Sequence, residues 1–271
     1  MGAGVAEVAA AAGYDVVLRS RHQDTADAML AGLAKSLARQ VEKEKRTQAE
    51  ADAIAGRVKA TTHLGELVDV DLVIESVVED LGVKKALFAE LDSVCKPGAI
   101  LATNTSTLPV VELAMATGRP DLVCGIHFFN PAPAMSLVEV VRPITAADAT
   151  VAAALAFAES CGKEPVEVKD QAGFIVNALL FPYLNNAVRL LEQGVATKEG
   201  IDAAMKGGCG FPLGPFALLD LVGLDTSVAI LDALYNEFRD PNYAAVPLLR
   251  RLVTSGQLGR KAGRGFYDYA R

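Results

Sequence analysis

Cysteine is sparse in this chain and dispersed: Cys95, Cys124, Cys161 and Cys209 form no CxxC pair. That disfavours a zinc site or a disulfide framework and fits a reducing cytoplasm. Each of the four reads as core filler, and no metal is implied. No segment reaches the roughly 18 uninterrupted apolar residues of a membrane span. No basic region precedes an apolar one at the N-terminus either, so no signal peptide is indicated. Positive charge is the scarcer sign, with 26 Lys and Arg against 33 Asp and Glu and a net charge of −7. This balance argues against nucleic acid as the main partner, which needs a clustered basic face, while local basic spots still suit a small anionic ligand. Internal repeats and low-complexity tracts are also missing. What the chain has is core-forming material: 51% hydrophobic and 22% charged residues over 271 positions, enough for two domains.

Read for periodicity, the first part of the chain alternates. Residues 2–12 are Ala-rich and helical, Asp15–Leu18 is a strand, and a long charged helical stretch runs from about Asp24 to Ala55. Strand Leu72–Glu75, helix Val83–Val94, strand Ala99–Ala102 and helix Val110–Ala116 follow, then strands Leu122–Ile126 and Leu137–Val141, helix Ala147–Cys161 and strand Pro165–Val168. Strands alternating with helices imply an α/β doubly wound sheet with parallel pairing. After Asp170 only helices are expected: Phe174–Gln193, Lys198–Met205, Ala217–Arg239 and Val246–Ser255. The expected domains are therefore residues 1–170 and 171–271.

The richest segment is GIHFFNPAPAMSLVEVV, residues 125–141. The Asn130-Pro131 step halts the preceding apolar strand, because proline supplies no ladder N–H and biases its predecessor to extended geometry. His127 thus stands at or near a strand's carboxyl end, the edge where open α/β sheets bind ligands. A histidine there can take a hydroxyl proton at neutral pH, and Glu139 on the neighbouring strand would fix its tautomer and stabilise the imidazolium. The competing reading is a hydrogen-bonded core histidine beside an ordinary strand-end charge.

The chain also opens unusually. A doubly wound nucleotide-binding sheet starts with a strand that delivers a Gly-rich turn to a helix N-terminus, where free N–H groups hold a pyrophosphate. Here Gly2 and Gly4 look like the tail of such a turn, and the central first strand is missing. A start assigned at an internal methionine is the simpler account.

Seven segments in order carry a resemblance: GAGVAEVAAAAGYDVVL, DLVIESVVEDLGVKKALFAELD, LATNTSTLP, GIHFFNPAPAMSLVEVV, KDQAGFIVNALLFPYLNNAVRLLEQG, GFPLGPFALLDLVGLDT and LGRKAGRGFYDY. Together they make the chain similar to the L-3-hydroxyacyl-CoA dehydrogenases from Gly2 to Tyr269. The resemblance implies a Rossmann-like domain followed by an all-α domain that closes the cleft and forms a homodimer. It implies hydride exchange between a nicotinamide cofactor and C3 of a 3-hydroxyacyl-CoA, of the short-chain 3-hydroxybutyryl-CoA/acetoacetyl-CoA type. By the same resemblance His127 is the base and Glu139 its partner, and Ser106 and Asn177 are polar groups at the reacting oxygen, with Ser106 also near the cofactor. Gly2, Glu79, Lys84, Asn130 and Lys261 match cofactor-side positions; Ser36 and Lys43 match positions that touch coenzyme A. From helical spacing, Ser36 and Lys43 fall on one face, and Glu79 and Lys84 flank a turn where surface charge is the default.

One further departure concerns the cofactor. After strand Asp15–Leu18 the family usually carries an acid for the ribose 2′-hydroxyl, whereas this chain has Arg19-Ser20-Arg21. With no carboxylate to repel a 2′-phosphate and two guanidinium groups beside it, the expectation leans to NADP over the NAD habit of the family. Two alternatives stand beside the dehydrogenase reading: an enzyme for a free hydroxy acid, and a catalytically inactive nucleotide-binding or structural relative.

Overall fold

The computed structural model describes residues 1–269. The chain divides into two compact units, Met1–Asp170 and a second from Gln171 onward.

The first unit runs α1 (Gly2–Ala11), β1 (Val16–Arg19), α2 (Gln23–Glu42), α3 (Gln48–Gly56), β2 (Val58–Thr61), β3 (Leu72–Glu75), α4 (Leu81–Val94), β4 (Ile100–Thr103), α5 (Val110–Ala114), β5 (Val123–Phe128), β6 (Leu137–Arg142), α6 (Asp148–Ser160) and β7 (Glu164–Lys169). The strands form two sheets: a parallel pair, β1-β2, and a five-stranded sheet in the order β3-β4-β5-β6-β7. α1 serves both. Its Val5 and Val8 pack with Ile126, Phe128 and Val140 over the larger sheet, while Ala6 and Ala10 pack with Leu18, Leu33 and Val58 over the smaller. These offsets put the two pairs on different stripes of one helix, so a single element holds both sheets. β1 and β3 each have one strand neighbour, and Leu72, Val73 and Ile74 are only half-buried, whereas every residue of β5 is buried.

Several expectations need correction. β5 and β6 pair antiparallel, not parallel, because the short connection 129–136 holds no helix and a parallel crossover needs about a dozen residues or more. The charged stretch 24–55 is two helices. Lys43 caps the first, Glu44 takes a positive φ of 54°, and Thr47 opens the second with a capping box to Glu50. β2, unread in the sequence, pairs with β1 through a segment that includes Lys59 and Ala60. The cysteines are not uniformly core: Cys95 and Cys124 are buried, Cys161 is intermediate and Cys209 exposed. Burial pushes the Cys124 thiol up to about 12, which keeps it protonated and unreactive.

The second unit is helical among the described residues: α7 (Val176–Glu192), α8 (Lys198–Cys209), α9 (Pro215–Val222), α10 (Leu224–Phe238) and α11 (Pro247–Thr254). The single helix expected over 217–239 breaks at Gly223, whose φ of 104° is closed to other residues without strain. Its core gathers Phe181, Leu184, Phe216, Leu219, Leu224 and Leu231. Asp220, 1% exposed, accepts the N–H groups of Phe266 and Tyr267 at 2.9 and 2.8 Å and the Tyr269 hydroxyl at 3.1 Å, tying down the segment after α11.

Candidate active site

β5 and β6 come close enough to shape the site because one position between them has no side chain. A Cβ on Gly125 would lie 2.7 Å from the Val141 side chain that pairs with it. Two residues further, His127 and Glu139 are direct cross-strand partners, so their side chains rise on the same face of the sheet. Nδ1 of His127 lies 2.8 Å from Glu139 Oε2, with the two residues 4% and 1% exposed. An ionised carboxylate only accepts, so Nδ1 carries the proton and Nε2 is the basic nitrogen. The Phe129 ring lies 4.5 Å from the imidazole, centroid to centroid. Asn130, exposed, follows at the cis Asn130-Pro131 bond.

The turn after β4 is tied to this strand and to its other neighbour. Asn104 Oδ1 accepts the Phe128 N–H at 2.8 Å, one residue past His127. Glu79 Oε1 accepts the Ser106 N–H at 2.9 Å and the Thr105 hydroxyl at 2.5 Å. Lys84, matched by resemblance to a cofactor-side position, is not on the surface. Its side chain is 1% exposed and pairs with a fully buried Glu75 at 2.8 Å and with Glu79 at 3.3 Å. Ser106, Glu79 and Lys84 are thus brought into one network.

At the carboxyl end of β1 the arginines differ. Arg19 is half-buried, and its Nε is enclosed with no hydrogen-bond partner, whereas Arg21 is exposed. Ser20 donates its N–H to Thr61 O at 3.0 Å and accepts the His22 N–H on its hydroxyl at 3.4 Å. Gly2, half-buried, starts α1, and a Cβ there would meet nothing. The enclosed Arg19 N–H would suit an anionic oxygen of a bound dinucleotide. On α2, Ser36 and Lys43 line a cleft of about 290 Å³ with Lys35, Arg39 and Lys45. Gln40 braces it, donating to Ser36 Oγ at 3.3 Å and to the buried Glu7 at 2.6 Å. Asn177, 8% exposed at the start of α7, and Lys261, paired with Asp225 at 2.7 Å, belong to the helical unit.

Residues 1–171 match the NAD-binding domain of 3-hydroxyacyl-CoA dehydrogenase and residues 173–269 match its C-terminal domain. The chain belongs to the 3-hydroxyacyl-CoA dehydrogenase family. It is 47% identical to a 3-hydroxybutyryl-CoA dehydrogenase of Clostridioides difficile over 99% of this chain and 96% of that one. Its structure is similar to the crystal structure of FadB2 from M. tuberculosis, with a TM-score of 0.98 and 47% identity over 100% of this chain and 95% of the other. The (S)-3-hydroxybutyryl-CoA dehydrogenase PaaH1 of Ralstonia eutropha superposes with a TM-score of 0.97 at 40% identity, covering 100% of this dehydrogenase and 96% of that structure. Among the described residues, no helix of the dehydrogenase is long and apolar enough to cross a membrane, and no group of His, Cys, Asp or Glu side chains is arranged to hold a metal.

Sequence reasoning about this dehydrogenase passed over Glu75, Thr103, Asn104, Lys35, Arg39 and Lys45. Lys35 and Arg39 were legible, since with Lys43 at the helix cap they recur every four residues, whereas Lys45 lies past the end of α2 and outside that spacing. Glu75 carried a weaker sign, a carboxylate ending an apolar strand.

Proposed function

We propose that the chain is a 3-hydroxybutyryl-CoA dehydrogenase, interconverting 3-hydroxybutyryl-CoA and acetoacetyl-CoA. The observation that carries this reading is the buried His127–Glu139 pair at 2.8 Å on adjacent strands. When bound, the nicotinamide cofactor supplies the hydride acceptor or donor for C3. His127 Nε2 removes the 3-hydroxyl proton in oxidation and returns it in reduction, while Glu139 holds the tautomer and stabilises the imidazolium. Ser106 is assigned to the reacting oxygen. Asn177 is kept as a second amide for that role on the strength of the family resemblance, and Asn130 and Lys261 are kept as cofactor-side groups on the same ground.

The cleft on α2 supports a CoA thioester over a free hydroxy acid. Lys35, Arg39, Lys43 and Lys45 concentrate positive charge there in a chain of net charge −7, which suits the phosphates of coenzyme A. We read the cofactor as NADP(H), on the enclosed Arg19 Nε and the absence of an acid at Ser20. The quaternary reading is a symmetric homodimer through the helical unit.

Steady-state reduction of acetoacetyl-CoA tests the assignment. His127→Gln is expected to lower kcat by about 10²–10⁴ while leaving KM within a few-fold. Because Glu139 acts through His127, adding Glu139→Gln should cost less than the product of the two single losses. Near-normal turnover in His127→Gln would sink the reading.

A further inference from the structure

Buried charge outside the acid/base pair is concentrated at the ends of β3 and β4. Glu75 is fully buried, and both of its carboxylate oxygens accept from Lys84 Nζ, at 2.8 and 2.9 Å. Burying such a pair in place of packed apolar groups brings little stability, because the desolvation of two ions offsets their attraction. Its connections suggest another purpose. Glu75 Oε2 also accepts the Thr103 hydroxyl at 2.8 Å, and Thr103 Oγ1 in turn accepts the Thr105 N–H at 3.2 Å. From the other side Lys84 reaches Glu79, whose Oε1 receives the Thr105 hydroxyl and the Ser106 N–H. One ammonium therefore holds together two carboxylates that grip the 103–106 turn at its start and at Ser106 itself.

We propose that Glu75 is a positioning residue for the reduction: through Lys84 and Thr103 it sets the 103–106 turn and so places Ser106 at the reacting oxygen. Glu75 touches neither substrate nor cofactor in this account. A carboxylate that acts only through another side chain should lose its effect once that side chain is gone, whereas one that merely supports the fold should not. The inference rests on the proposed activity.

The test is a double-mutant cycle in acetoacetyl-CoA reduction, run on the full chain. Glu75→Gln is expected to lower kcat by about 10- to 100-fold with the acetoacetyl-CoA KM within about threefold, the pattern of a misplaced group rather than a lost binding contact. In a Ser106→Ala background the same change should cost less than about threefold more. Thr103→Val is the second variant, should Glu75→Gln fail to fold. It leaves the Glu75–Lys84 pair intact, cuts the Thr103–Glu75 link, and should show the same coupling to Ser106→Ala. Losses that multiply in these cycles, or an unchanged kcat in Glu75→Gln, would overturn the inference. An unmodified chain inactive on acetoacetyl-CoA would remove the proposed activity, and the inference with it.

Discussion

Arg19 and Arg21 stand two residues apart in different surroundings, and the proposed preference for NADP(H) can be tested on that difference. Arg19 ends β1 with its Nε enclosed and unpartnered, while Arg21 is exposed. A charge-assisted bond to an enclosed guanidinium is worth about 1.5–3 kcal/mol, whereas an exposed one is largely screened by water and salt. The unmodified enzyme should therefore have a higher kcat/KM with NADPH than with NADH. Arg19→Ala should remove most of that preference and Arg21→Ala less of it. Placing Asp at Ser20 and neutralising both arginines should reverse the order, because a carboxylate accepts from a 2′-hydroxyl and repels a 2′-phosphate. Equal or better kcat/KM with NADH before any substitution would show that the arginines do not serve a 2′-phosphate.

At the scale of elements, the break between α9 and α10 offers a direct test of backbone strain. Gly223 takes φ 104° and ψ 129°, and a Cβ there would come within 3.1 Å of Asp225 Oδ1 and 3.3 Å of Lys261 Nζ. Gly223→Ala should cost about 1–3 kcal/mol and lower the thermal midpoint by several degrees in calorimetry. An unchanged midpoint would show that the backbone there adapts at no cost. This break was not legible in the sequence, since the apolar period of ALLDLVGLDTSVAILDAL runs straight through it and a lone glycine inside a helical pattern is tolerated. β3, β5 and β6 were legible, because each is a short apolar run bounded by turn or charge signals, and with them came the placing of His127 near Glu139. β2 was not, since its four residues include Lys59 and Ala60 and it exists by pairing with β1. Lys84 shows the same limit at the site. From sequence alone a lysine five residues past Glu79 carries surface charge as its default, and it is the pairing with Glu75 and Glu79 that makes its burial tolerable.

For the molecule as a whole, the helical unit leaves large apolar side chains in water. Leu179 is 72% exposed, Val195 64% and Leu221 50%, with Leu190, Phe211 and Phe238 near 40%. On α7 Phe181 and Leu184 are core, whereas Leu179 and Leu190 point outward. The proposed homodimer would take some of these side chains out of water. A homodimer is expected in sedimentation at micromolar concentration, and Leu179→Glu should shift it toward monomer. A monomeric unmodified chain would refute the symmetric interface.

The burial of β5 also bears on how the protein breathes. β5 is buried along its whole length between two partners, so its amides exchange with solvent only when the first unit unfolds globally. His127 and Glu139 thus sit on backbone that local opening at the rim of the sheet does not reach, and their 2.8 Å pairing is held by the most protected part of the first unit.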